Sequence, residues 1–384
     1  MVDATVVVST AVALLRVPAV LRRPDGAPLA VRAVGPEVVL AAVVGLVYLN
    51  QLLFTVYVLR VHGGDVSFIA RHLPAGWFAT AVGNPLIEGL ARHFPAPELL
   101  APTVLRVQAF LELPFVLLAY VTVLRWLDRD LYRRVAGAGL VWAAAASYTL
   151  VFCVVEWQLR NPYTLDDVAL RIAAAVVTPP LIRWLARGEH ELAGPVEPLR
   201  FAVSAWALGH LVLVVYDTAL LYNLGHLGTR LPGALIALAV LVCARTLRPG
   251  GVSPVPTLPG GGVATIAAGL RWSLALFLVP ALAVRYGVNF ATPLVAAAAG
   301  GVIVLAAAVH AVREGPPANR WILVWTAQLP MAAVAGLGAA YVAVRWVADT
   351  FYEAALLRAA ATSLMTAVLV CGLTDRYLAR TRGS

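Results

Sequence analysis

No lysine occurs in the 384 residues, so all 29 basic residues are arginine. That absence excludes any mechanism built on a lysine Schiff base, and retinal and pyridoxal chemistry with it. Cysteine is scarce as well. Cys153, Cys243 and Cys371 stand singly in apolar stretches with no CxxC spacing, a pattern of buried thiols rather than of a metal cluster or redox pair. Charge of either sign is thin, at 13% of residues, where soluble domains carry about 25%. What fills the space is apolar: 61% of the chain is hydrophobic. Such a chain is expected to be an integral membrane protein, all-α, with the lipid bilayer as its first partner.

A spanning helix needs roughly 20 predominantly apolar residues. Ten stretches meet this: 36–59, 99–124, 135–157, 167–185, 200–222, 231–246, 271–288, 292–311, 321–344 and 354–374. An eleventh, 4–15, is short for a span and lacks the basic start and cleavage site of a signal peptide, which suits an uncleaved interfacial or short spanning segment. The expected architecture is a polytopic bundle of ten, or eleven, transmembrane helices. Residues 1–35 form a short N-terminal apolar segment and basic stretch. Six spans follow over 36–247, a Pro/Gly-rich linker over 248–262, and four spans with a tail over 263–384.

Arginine is unevenly distributed between alternate connections. Nineteen fall in one set and eight in the other, with Arg106 and Arg358 inside spans. Positive charge is retained on the cytoplasmic face, so this asymmetry predicts a multi-pass protein of the cell membrane with a cytoplasmic C-terminus. The net charge of +9 then reflects topology, and no nucleic-acid partner is expected. The longest outward connection, 60–98, contains an amphipathic stretch from Trp77 to Phe94 that reads as an interfacial helix able to act as a lid.

Against this apolar background the ionisable residues at membrane depth stand out. They are Glu112, Glu156, His210, Asp217 and Glu353. Such groups are costly in hydrocarbon, so they usually face a bundle interior or a wet cavity and mark a functional site. By the topology above, Glu112, Glu156, Asp217 and Glu353 collect in the outward half together with Asn50, Gln51, Gln108 and Tyr222. A shared polar cavity beneath the 60–98 connection is the simplest account. Glu112 is the sharpest candidate: Gln108 lies one turn before it, and Pro114 leaves the carbonyl of Phe110 without its usual amide donor. Burial there favours the uncharged acid, as a general acid requires. Glu156 and Asp217 are its expected catalytic partners. The structural alternative for Glu112 is an interhelical ion pair, with Arg106 among the partners.

His210 and Asp217 are seven residues apart and share a helical face with Trp206. His210, His226 and His310 offer no axial pair for haem, and no metal or other cofactor is expected. Asp166 and Asp167 sit at a helix start. Thr164 followed by Asp167 reads as a capping box, and Asp167 with Arg171 as an i,i+4 pair, so helix initiation accounts for both aspartates.

Aromatic residues accompany the acids: Phe110 and Phe115 beside Glu112, Trp157 beside Glu156, and Tyr216 and Tyr222 beside Asp217. Aromatic faces stabilise cations, so a protonated carboxyl in such a cavity suits carbocation chemistry on a polyprenyl chain. In site chemistry this is analogous to integral-membrane terpene cyclases. The leading expectation is therefore a membrane enzyme acting on an isoprenoid or lipid substrate. Gln108, Phe110, Phe115, Trp157, Trp206, His210, Tyr216, Tyr222 and Glu353 would line the substrate. Two alternatives remain. A polyprenyl-phosphate-sugar glycosyltransferase would use Asp65 as base and Arg285, Arg345 and Arg358 on the lipid phosphate. A proton-coupled transporter would carry protons on the same carboxylates, although no internal repeat accompanies them.

Overall fold

In the computed structural model the described residues are 34–65, 67, 83–93, 100–127, 129–160, 163–187, 227–246 and 328–346, with a few isolated positions elsewhere. They form eight helices and, among the described residues, no strand. We label them α1 (Pro36–His62), α2 (Pro85–His93), α3 (Leu100–Leu127), α4 (Arg129–Gly137), α5 (Leu140–Leu159), α6 (Thr164–Ala186), α7 (Leu227–Thr246) and α8 (Leu329–Trp346). Among the described residues, four stretches are long and apolar enough to cross a membrane: α1, Arg106–Trp126 within α3, Leu140–Gln158 within α5, and α6. The chain is therefore a helical membrane protein in its described part. Four further expected spans, 200–222, 271–288, 292–311 and 354–374, lie essentially outside the described residues, as do 4–15 and the 248–262 linker.

The boundaries follow from local chemistry. Pro36 opens α1, where its missing N–H is no loss. Gly63 closes it in the left-handed conformation, φ 58°, with its amide returned to the Val58 carbonyl. In α5 the same role falls to Arg160, φ 46°, whose amide donates to Glu156 O at 2.9 Å while its guanidinium lies over the Trp157 ring. Pro114 in α3 and Pro179 and Pro180 in α6 are carried without ending either helix. Neighbouring helices in a bundle can satisfy the backbone groups that proline frees.

The chain divides into two compact units. The first holds α1 to α6; the second holds α8 and most of α7. In the first unit α3 is the central element and the most enclosed of the candidate spans. It packs against α1 on one side and α6 on the other, with α5 against α6. Its core is made of large side chains: Leu113, Phe115, Leu117, Leu118, Tyr120 and Leu124 of α3, with Phe54 of α1 and Tyr148 of α5. In contrast, α1 and α6 each expose an apolar stripe, including Leu46 and Leu49, and Ile172, Val176 and Val177. This is the pattern of helices with one side on protein and the other on lipid.

Ion pairs close both ends of the bundle. At one end Glu37 of α1 pairs with Arg125 of α3, and Arg183 of α6 donates to Gly137 O at 3.2 Å. At the other, Arg106 of α3 pairs with Asp166 of α6. Here α2 packs on α1, burying Ile87 and Ala91 and exposing Leu86 and Leu90. Arg60 fastens its last turn, donating from Nη1 to the carbonyls of Ala91 and Arg92, each at 2.7 Å. The start of α2 is tied by two side chains: Asn84 Oδ1 accepts from the Leu86 amide at 3.1 Å, and Glu88 Oε1 accepts from the Gly83 amide at 2.8 Å. Within the second unit, Gln328 donates to Thr374 Oγ1 at 3.2 Å.

Candidate functional site

The charged centre of the first unit is Arg171. It enters α6 seven residues after Thr164, about 10 Å along the axis at 1.5 Å per residue. Its Nη1 donates to Glu112 Oε2 of α3 at 2.9 Å, and its Nη2 to Glu156 Oε1 of α5 at 3.5 Å. All three are buried, with 6%, 7% and 9% of their surface exposed for Arg171, Glu112 and Glu156. The guanidinium carbon lies 3.2 Å from the centre of the Phe152 ring, and Phe152 packs on Tyr148 with centroids 5.5 Å apart. Tyr148, Phe152 and Glu156 recur at intervals of four and so form one face of α5, turned to the arginine.

A second polar layer joins this one along α3. Gln108, one turn before Glu112, accepts from Asn50 Nδ2 of α1 at 2.9 Å, and both are buried. Gln51, next to Asn50, is also buried, and its backbone carbonyl takes the Thr55 hydroxyl at 2.9 Å. The polar line therefore runs from α1 through α3 to α6 and α5. It stays within the half of the bundle nearer Tyr163.

The structure brings together Glu112, Glu156 and Gln108 from the expected site. It does not bring their aromatic neighbours with them in the expected manner. Phe115 is enclosed in the core, Phe110 is half-buried, and Trp157 is exposed beneath Arg160. The aromatic ring in contact with the charges is Phe152, and Arg171 already covers it. Asp217, Trp206, His210, Tyr216, Tyr222 and Glu353 lie outside the described residues.

Two expectations are corrected. Arg106 is not the partner of Glu112: it pairs with Asp166 at the surface, both side chains about half exposed, while Glu112 takes Arg171. The N-cap of α6 is Tyr163 rather than Thr164, which is already helical. Spacing alone gives Arg171 only a local partner, Asp167, at i,i+4. The one signal that could have exposed its role is a lone arginine well inside an apolar helix, which needs an anion from another element.

Asp65 follows α1 and is fully exposed, accepting from the Ser67 amide at 2.8 Å and the Ser67 hydroxyl at 2.7 Å. The amide, with the hydroxyl second, holds its carboxyl below the usual carboxylate range. It braces a turn and is a weakened base. Tyr57 and His62 meet nearby, Oη to Nε2 at 3.0 Å. Comparison with protein-family models, with characterised proteins and with solved structures finds no match in any of the three.

Proposed function

We propose that the chain is a proton-coupled membrane transporter whose exchanging site is Glu112–Arg171–Glu156. The supporting observation is that one guanidinium serves two carboxylates at unequal distances, in a buried site. Three ionised groups there leave one surplus negative charge, which is costly in a low-dielectric interior unless a proton or cation offsets it. Glu112 holds the tighter contact and is the standing counter-ion. Glu156 is the acid that takes and releases the proton. The consequence is mechanical. With Glu156 neutral, Arg171 binds α6 to α3 alone; with Glu156 ionised, it also draws on α5. Proton occupancy thereby biases helix packing, which is what coupling requires.

The larger setting of this reading is a ten-span protein of the cell membrane with a cytoplasmic C-terminus. In it α2 lies in the outer interface, Leu86 and Leu90 toward lipid.

Acid-initiated cyclisation of an isoprenoid chain is the second reading. It is favoured by the Tyr148–Phe152 pair beside Glu156, with Glu156 rather than Glu112 as the donor. It is weakened because Arg171 occupies the Phe152 face a carbocation would use. Sugar transfer at Asp65 ranks third, since the Ser67 contacts spend the basicity that role needs.

The test uses vesicles carrying the full chain and an internal pH dye, screened against a panel of small solutes, alongside mass spectrometry of lipids from the expressing host. Solute-dependent proton flux that Glu156→Gln abolishes supports transport. A new apolar lipid that Glu156→Gln abolishes supports cyclisation instead. If the variant matches the wild type in both measurements, the site assignment is wrong.

A further inference from the structure

Resting on the reading of Glu112–Arg171–Glu156 as a proton-exchanging site, we infer that its solute binds on the Nε–Nη2 edge of Arg171, and that this solute is uncharged and offers a carbonyl oxygen. The guanidinium is buried, yet its donors are unequally used. Nη1 is held by Glu112 Oε2 at 2.9 Å. Nη2 stands 3.5 Å from Glu156 Oε1, a longer contact than an ordinary hydrogen bond. Nε is enclosed and has no hydrogen-bond partner among the described residues. Buried donors are nearly always paired, so an open one on a charged group calls for an acceptor.

Geometry narrows the acceptor. Nε and Nη2 lie on one edge of the planar guanidinium with their N–H groups side by side, a fork on which arginine takes oxygen ligands. One face is closed by Phe152, whose ring centre is 3.2 Å from the guanidinium carbon, so a ligand approaches in the plane. Charge then selects its type. Glu112 already matches the single positive charge, and an anion on the free edge would add to the negative surplus that burial penalises. An uncharged carbonyl oxygen fills the edge without that penalty. It competes with ionised Glu156 for Nη2, whereas a protonated Glu156 yields that donor. Solute and proton therefore bind together. On binding, a proton from water joins the Glu156 carboxylate, the solute oxygen accepts from Nε and Nη2, and no bond within the solute changes. The titratable groups coupled to this edge are Glu112 of α3 and Tyr148 and Glu156 of α5, with Cys153 coupled to Arg171 and Glu156; Asp167 stands one turn earlier on α6 itself.

The experiment titrates the protonated-carboxyl infrared band of the full chain in nanodiscs, with and without a series of primary amides from acetamide upward, each matched by its carboxylate. At saturation an amide of fitting size should raise the pH at which the band is half lost by about one unit, a tenfold coupling within the range for linked sites. The matched carboxylate should leave it in place. Arg171→Lys keeps the charge but has no planar edge, so it should keep a titrating band and lose the amide effect. Should Arg171→Lys not fold, the wild-type comparison of amide with carboxylate decides. A titrating band that no amide moves, one moved by carboxylates instead, or an undiminished amide effect in Arg171→Lys overturns the inference while leaving the proton-exchanging site standing. A wild type with no protonated carboxyl at any pH removes that reading itself, and the inference with it.

Discussion

Arg171 and Glu112 stand 59 positions apart in the chain and meet at 2.9 Å between α6 and α3, where neither is open to solvent. The contact converts two residues that would each be prohibitive in hydrocarbon into one polarised unit. Because Glu156 also reaches the same guanidinium, removing any one member changes the charge left behind.

Stability should report that dependence first. Arg171→Met leaves two buried carboxylates facing each other and should cost about 3–5 kcal/mol, the range for breaking a buried ion pair from one side. The triple variant Glu112→Gln, Arg171→Met, Glu156→Gln should recover most of the loss. Thermal unfolding in detergent compares the two; equal destabilisation would mean that packing rather than charge is at stake.

Carboxyl protonation should follow the charge balance. The wild type is expected to show one protonated carboxyl from this cluster at neutral pH. Glu112→Gln should abolish it, because Glu156 then takes over the guanidinium contact, and Arg171→Met should increase it. Infrared difference spectra across pH distinguish these outcomes, and a band indifferent to Glu112→Gln would place the proton elsewhere.

The amide contact between Asn50 and Gln108 should be modest. A double-mutant cycle with Asn50→Leu and Gln108→Leu should return a coupling of about 0.6 kcal/mol, the average for polar contacts between membrane helices. A coupling of zero would show that their partners are exchanged without loss.

Arg60→Ala should loosen α2 selectively. The two carbonyls of Ala91 and Arg92 lose their donor, at about 1 kcal/mol for a partly solvated contact. Hydrogen–deuterium exchange should rise over residues 85–93 and stay unchanged in α3. Faster exchange throughout the bundle would contradict a local latch.

Asp65 offers a pH test. Its carboxyl is held below the usual range, so the turn it forms with Ser67 is favoured above the ordinary aspartate range. That preference is lost as pH falls through the depressed value. Ser67→Ala should move its titration only part of the way back, because the amide, the larger cause, remains. Aspartate-labelled solid-state NMR reads this directly, and a complete return to the ordinary value would assign the effect to the hydroxyl.

The described helices were legible because the bilayer requirement acts on each segment separately. An apolar run such as 164–186 announces itself without knowledge of its neighbours. Glu112, Glu156 and Gln108 could be singled out in the same way, from their cost in apolar surroundings. Arg171 was hidden because a nearby aspartate, Asp167, offered a local partner at helical spacing, and local pairing is all that spacing can reveal.

From its sequence alone, this protein's environment and element type follow: arginine as the only strong base, too little charge for a soluble surface, helical runs of membrane length, and costly acids within apolar runs. Those properties depend on composition and on periods of a few residues. Pairing was decided only by tertiary structure. Which cation meets Glu112, which ring Arg171 covers, and that Asp166 faces solvent while Asp167 is enclosed are set by how α3, α5 and α6 rotate against one another. Rotation about a helix axis is fixed by packing between segments 15 to 60 positions apart, and no local pattern encodes it.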